Sequence, residues 1–111
     1  MIEAARFGVH RSPSRSTARP FVIVIQSDDF HRMPTRVVAP LVIQEAMARL
    51  DGEHPRIAPM LFVHGRGYTL NPLDIATIGV SRLGEAVASF AADDDAKRRI
   101  QDALDAVVKR F

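Results

Sequence analysis

Residues Phe21 to Asp28 read FVIVIQSD: five apolar residues in a row, β-branched or aromatic, followed by three polar turn formers. Alternation of apolar and polar residues would mark a strand wet on one face, whereas an unbroken apolar run this short marks a strand covered on both. The fold must therefore supply a layer on either side of it. Upstream, Phe7 and Val9 alternate with polar neighbours, which predicts a short first strand. Between the two, RSPSRSTARP (Arg11 to Pro20) is too polar and too broken by proline for helix or strand and reads as a mobile loop.

Downstream, DDFHRMPT is the turn that leaves the central strand, and RVVAPLVI (Arg36 to Ile43) is a second β-rich run in which Pro40 implies an edge or a bulge. QEAMARLDGEHP fits either a short helix ending at Asp51-Gly52 or a strand with a turn there. RIAPMLFVHGRGYTLN has the grammar of a hairpin, with Gly65 and Gly67 supplying positive φ. LDIATIGVS adds another β-rich piece, and RLGEAVASF suggests a helical turn.

From Asp93 the period changes. Ala96, Ile100, Ala103, Leu104, Val107, Val108 and Phe111 fall on one stripe of an α-helix, with Asp93, Asp94 and Asp95 at its start and Lys109 and Arg110 at its end. That charge order suits the helix dipole. About 18 residues make a helix of roughly 27 Å. The expected fold is a small, mainly antiparallel β domain closed by one C-terminal helix.

Composition narrows the function. At 111 residues the chain is a single domain. It has no cysteine, which excludes a disulfide framework, a thiolate metal site and a cysteine nucleophile. No apolar stretch approaches the roughly 20 residues of a membrane span, and MIEAARFGVH lacks the pattern of a secretory signal, so a cytoplasmic protein is expected. The net charge is +2, with thirteen of fifteen cations being arginine. Arg6, Arg11, Arg15 and Arg19 against Glu3 make a basic patch near the start, without the interleaved aromatics or groove-reading helix that nucleic-acid binding wants.

Chemistry-bearing clusters are sparse. Asp28, Asp29 and His31 match no metal spacing, and polar residues after a buried strand usually bond local backbone. Gly65-Arg66-Gly67 lacks the following helix N-terminus that a phosphate cradle uses. Ser27 and Ser81 have no histidine at a motif spacing, so no enzymatic reading emerges and no cofactor is expected. The helix tip stands out instead. Phe111 is expected to pack back on the body, against another subunit, or on a partner.

Four segments together resemble the CcdB-like toxins of bacterial toxin–antitoxin modules, over about Phe7 to Val108. FVIVIQSD resembles the family's central strand with its Gln-Ser-Asp ending, RVVAPLV its Arg-apolar-Pro-Leu segment, LGEAVASF its Gly-Glu-Glu-Val-Ala segment, and IQDALDAV its terminal helix. The resemblance implies an SH3-like antiparallel barrel with a small additional sheet and a C-terminal α-helix, assembled as a homodimer. It implies a toxin that binds the A subunit of DNA gyrase, or of the related topoisomerase IV, and is neutralised by a cognate CcdA-like antitoxin. It implies neither catalysis, a cofactor, a metal nor direct nucleic-acid binding. The target-binding positions it carries over are Asp29 and Phe30 after the central strand and Asp105, Val108, Lys109, Arg110 and Phe111 on the helix.

At those positions the chain departs from the family pattern. Lys109-Arg110-Phe111 stands where the family keeps Trp-Gly-Ile, and a lysine offers a point charge where a tryptophan offers a flat apolar face. A second reading is therefore a diverged homologue that binds antitoxin, autoregulates and poisons nothing. A third is an mRNA endonuclease, since another toxin family shares this barrel; Asp28, His31 and the arginine loop would have to serve it.

Overall fold

The structure is a computed structural model, and it describes residues 2–14, 16–48 and 58–109, excepting the side chains of 47, 48, 108 and 109. Among the described residues, seven strands form one antiparallel sheet: β1 (Gly8–Arg11), β2 (Phe21–Val24), β3 (Thr35–Ile43), β4 (Met60–Val63), β5 (Arg66–Leu70), β6 (Ala76–Gly79) and β7 (Ala86–Ser89). Their order is β4-β5-β3-β2-β1-β7, with β6 pairing β3. The short helix α1 (Gln44–Ala48) and the long helix α2 (Asp94–Lys109) accompany them.

The double covering of FVIVI is observed. Phe21, Ile23 and Ile25 enter the main core with Val9, Ala39, Leu41, Leu61, Tyr68 and Leu70, while Val22 and Val24 form a second cluster with Val38 on the outer face. Ala4, Ile78 and Leu83 cover that second cluster. The main core is closed by α2 through Ala96, Ile100 and Ala103, with Leu104 partly buried beside them. Ile23, Leu41 and Ile100 are fully buried, and burial of such side chains stabilises by about 1.5–3 kcal/mol each. The Asp93 carboxylate caps α2 by accepting from the Ala96 N–H at 3.0 Å. Sixteen residues of α2 give a length of about 24 Å.

The sheet forks at Pro40. The first half of β3 pairs β6 (Thr35↔Gly79 to Val38↔Ala76), and its end pairs β5 (Leu41↔Leu70 to Ile43↔Tyr68). β3 is thus a central strand, which removes the edge from the two readings, edge or bulge, that its proline suggested. The Pro40 carbonyl accepts from Asn71 N–H at 3.0 Å, so its ring nitrogen faces the same gap between β6 and β5, where the ladder asks for no donor.

The sheet curls into a half-barrel. His64, in the turn between β4 and β5, places Nε2 2.9 Å from the Val87 carbonyl of β7, so strands at opposite ends of the sheet order approach one another. His64 (φ 52°) and Gly65 (φ 80°) both occupy the left-handed region, the signature of a two-residue type I′ turn. The second positive φ of the hairpin thus belongs to His64, and Gly67 lies within β5.

Two other expectations are corrected. RLGEAVASF is not helical: Val80–Arg82 is a single 3-10 turn, and Ala86–Ser89 forms β7 against β1. Gly84 sets this course, because a Cβ there would lie 2.6 Å from the Arg11 carbonyl, to which its own N–H donates at 3.0 Å. The Arg11–Pro20 loop is tied down where described. Ser12 N–H donates to Pro20 O (3.0 Å), Ile43 N–H to Ala18 O (2.9 Å), and the Ser12 and Ser14 hydroxyls accept from Ser14 and Ser16 N–H. Arg11 and Arg19 pair with Glu85 and Asp74; Arg15 lies outside the described residues. Of QEAMARLDGEHP, Gln44 to Ala48 is helical and the remainder lies outside the described residues.

Candidate partner-binding face

The polar residues that follow β2 are used locally. The Ser27 hydroxyl accepts from Asp29 N–H at 3.2 Å and caps the 3-10 turn Asp28–Phe30. Gln26 donates from Nε2 to Phe30 O (3.2 Å) and accepts at Oε1 from Val37 N–H (3.0 Å), joining the loop to β3. An Asp28 carboxylate oxygen accepts from Arg6 N–H at 2.8 Å. Gln26, Ser27 and Asp28 thus shape the loop, as their position after a buried strand predicts.

Beneath the loop lies Arg36, only 3% exposed. Its guanidinium donates to five backbone carbonyls: Nε to Ala4, Nη1 to Met33 and Thr35, and Nη2 to Glu3 and His31, all at 2.7–3.1 Å. One buried cation thereby clamps the N-terminal arm to the loop. Its donor capacity is matched by carbonyl dipoles instead of a carboxylate.

The held loop carries apolar side chains outward. Phe30 is 60% exposed and Met33 54%. Asp29 is exposed beside them. Arg6 connects this loop to α2: while its backbone binds Asp28, its Nη2 donates to Gln101 Oε1 at 2.7 Å, and Gln101 Nε2 donates to Asp105 Oδ1 at 3.2 Å. Arg6 also lies 4.7 Å from the centroid of the Phe7 ring.

The structure therefore brings Asp29, Phe30 and Asp105 onto the two sides of one connecting arginine. Val108 and Lys109 continue the backbone of α2, and Arg110 and Phe111 lie outside the described residues. Sequence reasoning missed Met33, Arg6, Gln101 and Arg36. Arg36 had left one signal, since it shares strand parity with Val38, whose side is buried.

Histidines near carboxylates do not assemble here. His31 Nδ1 lies 2.9 Å from Asp28 O and His10 Nδ1 3.1 Å from Gly84 O, both backbone carbonyls. Among the described residues no group of three or more His, Cys, Asp or Glu could hold a metal ion, and no helix is long and apolar enough to cross a membrane.

The family model described as CcdB protein matches residues 6–109. The chain belongs to the CcdB family. Membership places it among the toxins of toxin–antitoxin modules. No match was found among the curated proteins. Solved structures share the fold, two of them as follows. An endoribonuclease in complex with its cognate antitoxin from a mycobacterial species superposes with TM-score 0.72 at 17% identity, covering 98% of this CcdB-family chain and 96% of that one. An endoribonuclease from a mycobacterial species gives TM-score 0.73 at 16% identity, covering 98% and 94%.

Proposed function

We propose that this CcdB-family toxin acts by binding the A subunit of DNA gyrase, or of topoisomerase IV, through Asp29, Phe30 and the α2 positions Asp105, Val108, Lys109, Arg110 and Phe111. A cognate CcdA-like antitoxin neutralises it, and the toxin works as a homodimer. The observation that carries this reading is the loop of exposed Phe30 and Met33 held from below by Arg36 and joined to α2 through Arg6. An apolar side chain on a preorganised support loses little entropy on binding, which is how interface anchors gain their energy.

The test is association of purified protein with each A subunit, together with growth arrest on expression in a sensitive bacterium. Normal growth and no association with either subunit would overturn the reading. Joint replacement of Lys109 and Arg110 by alanine separates it from a diverged homologue that only binds antitoxin: loss of toxicity supports a target-gripping tip. A monomer mass at micromolar concentration would remove the dimer.

A second reading, an endoribonuclease, is favoured by the fold shared with the two mycobacterial proteins. It would rely on the exposed His31 as base, with the nearby Arg32 at the phosphate. Cleavage of RNA by pure protein, abolished by His31→Ala, would replace the gyrase reading with this one. Intact RNA after prolonged incubation would dispose of it.

A further inference from the structure

The arm that precedes β1 carries strained backbone on both sides of Arg6. Ala4 (φ 49°) and Phe7 (φ 69°) lie in the left-handed region, which suits glycine and is costly for a side chain as large as phenylalanine. Gly8 N–H donates to Ala5 O at 3.1 Å, closing a four-residue turn. Phe7 is its third residue, the place that glycine takes when φ is positive there. Strain of this kind persists only where the surroundings fix the chain from several sides.

Two elements fix this arm. At one end Glu3 O and Ala4 O accept from Arg36, the same guanidinium that holds His31 O and Met33 O in the Phe30 loop. At the other end Phe7 N–H donates to Val24 O at 2.7 Å, and Phe7 O accepts from Phe90 N–H at 3.0 Å. Phe90 O in turn accepts from the N–H of Asp93, the residue that caps α2. The arm therefore spans from the Phe30 loop to the root of the helix.

Arg6 repeats that span with its own bonds, through Asp28 on the loop and Gln101 on the helix. Its guanidinium is under-bonded, because Nε is buried and, among the described residues, has no acceptor. The acceptor on Nη2 is the neutral amide oxygen of Gln101, where a carboxylate could take Nη2 and Nε together. The backbone around Arg6, and not its best pairing, thus sets where the guanidinium sits. Once either end of the arm is released, relaxation of Ala4 and Phe7 is downhill and loosens the other end.

We propose that the arm from Glu3 to Phe7 is a strained coupler, with Arg6 as its positioning residue, that makes the Phe30 loop and α2 order and loosen together. It rests on the reading of these elements as a binding face only for its use: a target held by one of them would firm the other. The coupling itself is measured by amide hydrogen exchange on the full ¹⁵N-labelled chain with no partner present, so a failed gyrase assay and a failed coupling are separate results. Gln101→Leu is expected to speed exchange at least five-fold at His31 and Met33, whose N–H groups bond within the loop, while Ile23 and Leu41 in the core keep their rates. Coupling is reciprocal, so Asp28→Ala is expected to speed Leu104 and Asp105 in α2, and this second variant serves where the first fails to fold. In an Arg6→Ala background, Gln101→Leu is expected to leave the loop unchanged. Ala4→Gly, which relieves the strain at φ 49° and removes no bond, is expected to shrink the loop's response at least two-fold. Changes confined to the element carrying the substitution, uniform acceleration across all strands, a response that survives Arg6→Ala, or one undiminished by Ala4→Gly would overturn the proposal.

Discussion

The two polar loops that border the outer face of β3 look alike in sequence and are built on opposite principles. The loop from Gln26 to Pro34 is held by side chains outside it: Arg36, just downstream, ties its end to the N-terminal arm from below, and the distant Arg6 bonds it from the side. Its exposed tip is apolar, with Phe30 and Met33 outward. The loop from Arg11 to Pro20 is held mainly by its own serines and by backbone bonds at its ends, and its exposed residues, where described, are polar or charged: Arg11, Ser14, Thr17 and Arg19. A loop meant to present an apolar anchor needs a fixed support, because ordering it at the moment of binding would consume the affinity. A loop that presents charge acts over several ångströms and needs less exact placement.

Substitutions can break that contrast, and the largest effect belongs to Arg36. Arg36→Met leaves five carbonyls without their donor and is expected to cost about 3 kcal/mol or more in urea unfolding, since hydrogen bonds to charged groups are the strong ones. Faster amide exchange at His31 and Met33 should accompany it. Unchanged stability would show that the first loop is held by its own turn, like the second. Next is Gly84→Ala at the base of the second loop. Its methyl would meet the Arg11 carbonyl at 2.6 Å, and overpacking of this kind costs about 1–3 kcal/mol, readable as a lower midpoint of thermal unfolding.

Arg19→Ala sharpens the comparison from the other side. Both partners of its ion pair are half-exposed, so stability should fall by less than about 1 kcal/mol. A larger loss would mean that charge, not local backbone bonding, holds that loop. Phe30→Ala is the smallest in stability, within about 0.5 kcal/mol, because an exposed side chain loses little packing. Association with the target should nevertheless fall at least ten-fold. A Phe30 variant that binds its target as well as the original would remove the first loop from the interface.

Much of the fold was legible because its signals are local. The run FVIVI announced a doubly covered strand, and β2 is buried on both faces. The stripe Ala96, Ile100, Ala103 announced the closing helix. Pro40 suggested an edge or a bulge, and the edge does not hold, because proline reports only that a donor is missing and a fork in the sheet meets that condition as well as an edge does. LGEAVASF misled because small residues allow a helix or an edge strand, and pairing with β1 settled the matter. Of the proposed binding face, Asp29, Phe30 and Asp105 were suggested by resemblance, while their connection through Arg6 and Gln101 could not be read from spacing. Gln101 lies 95 residues from Arg6.

The sequence by itself determined which segments extend, which one coils and which faces are apolar, since the periods of 2 and 3.6 are properties of neighbouring residues. Tertiary structure alone decided where the sheet forks, that the His64 turn reaches β7, and that a lone buried guanidinium supports the exposed Phe30. Those outcomes depend on which backbone groups find partners far along the chain. A carbonyl accepts from whichever donor the fold brings near, and side-chain order along the sequence carries no record of that meeting.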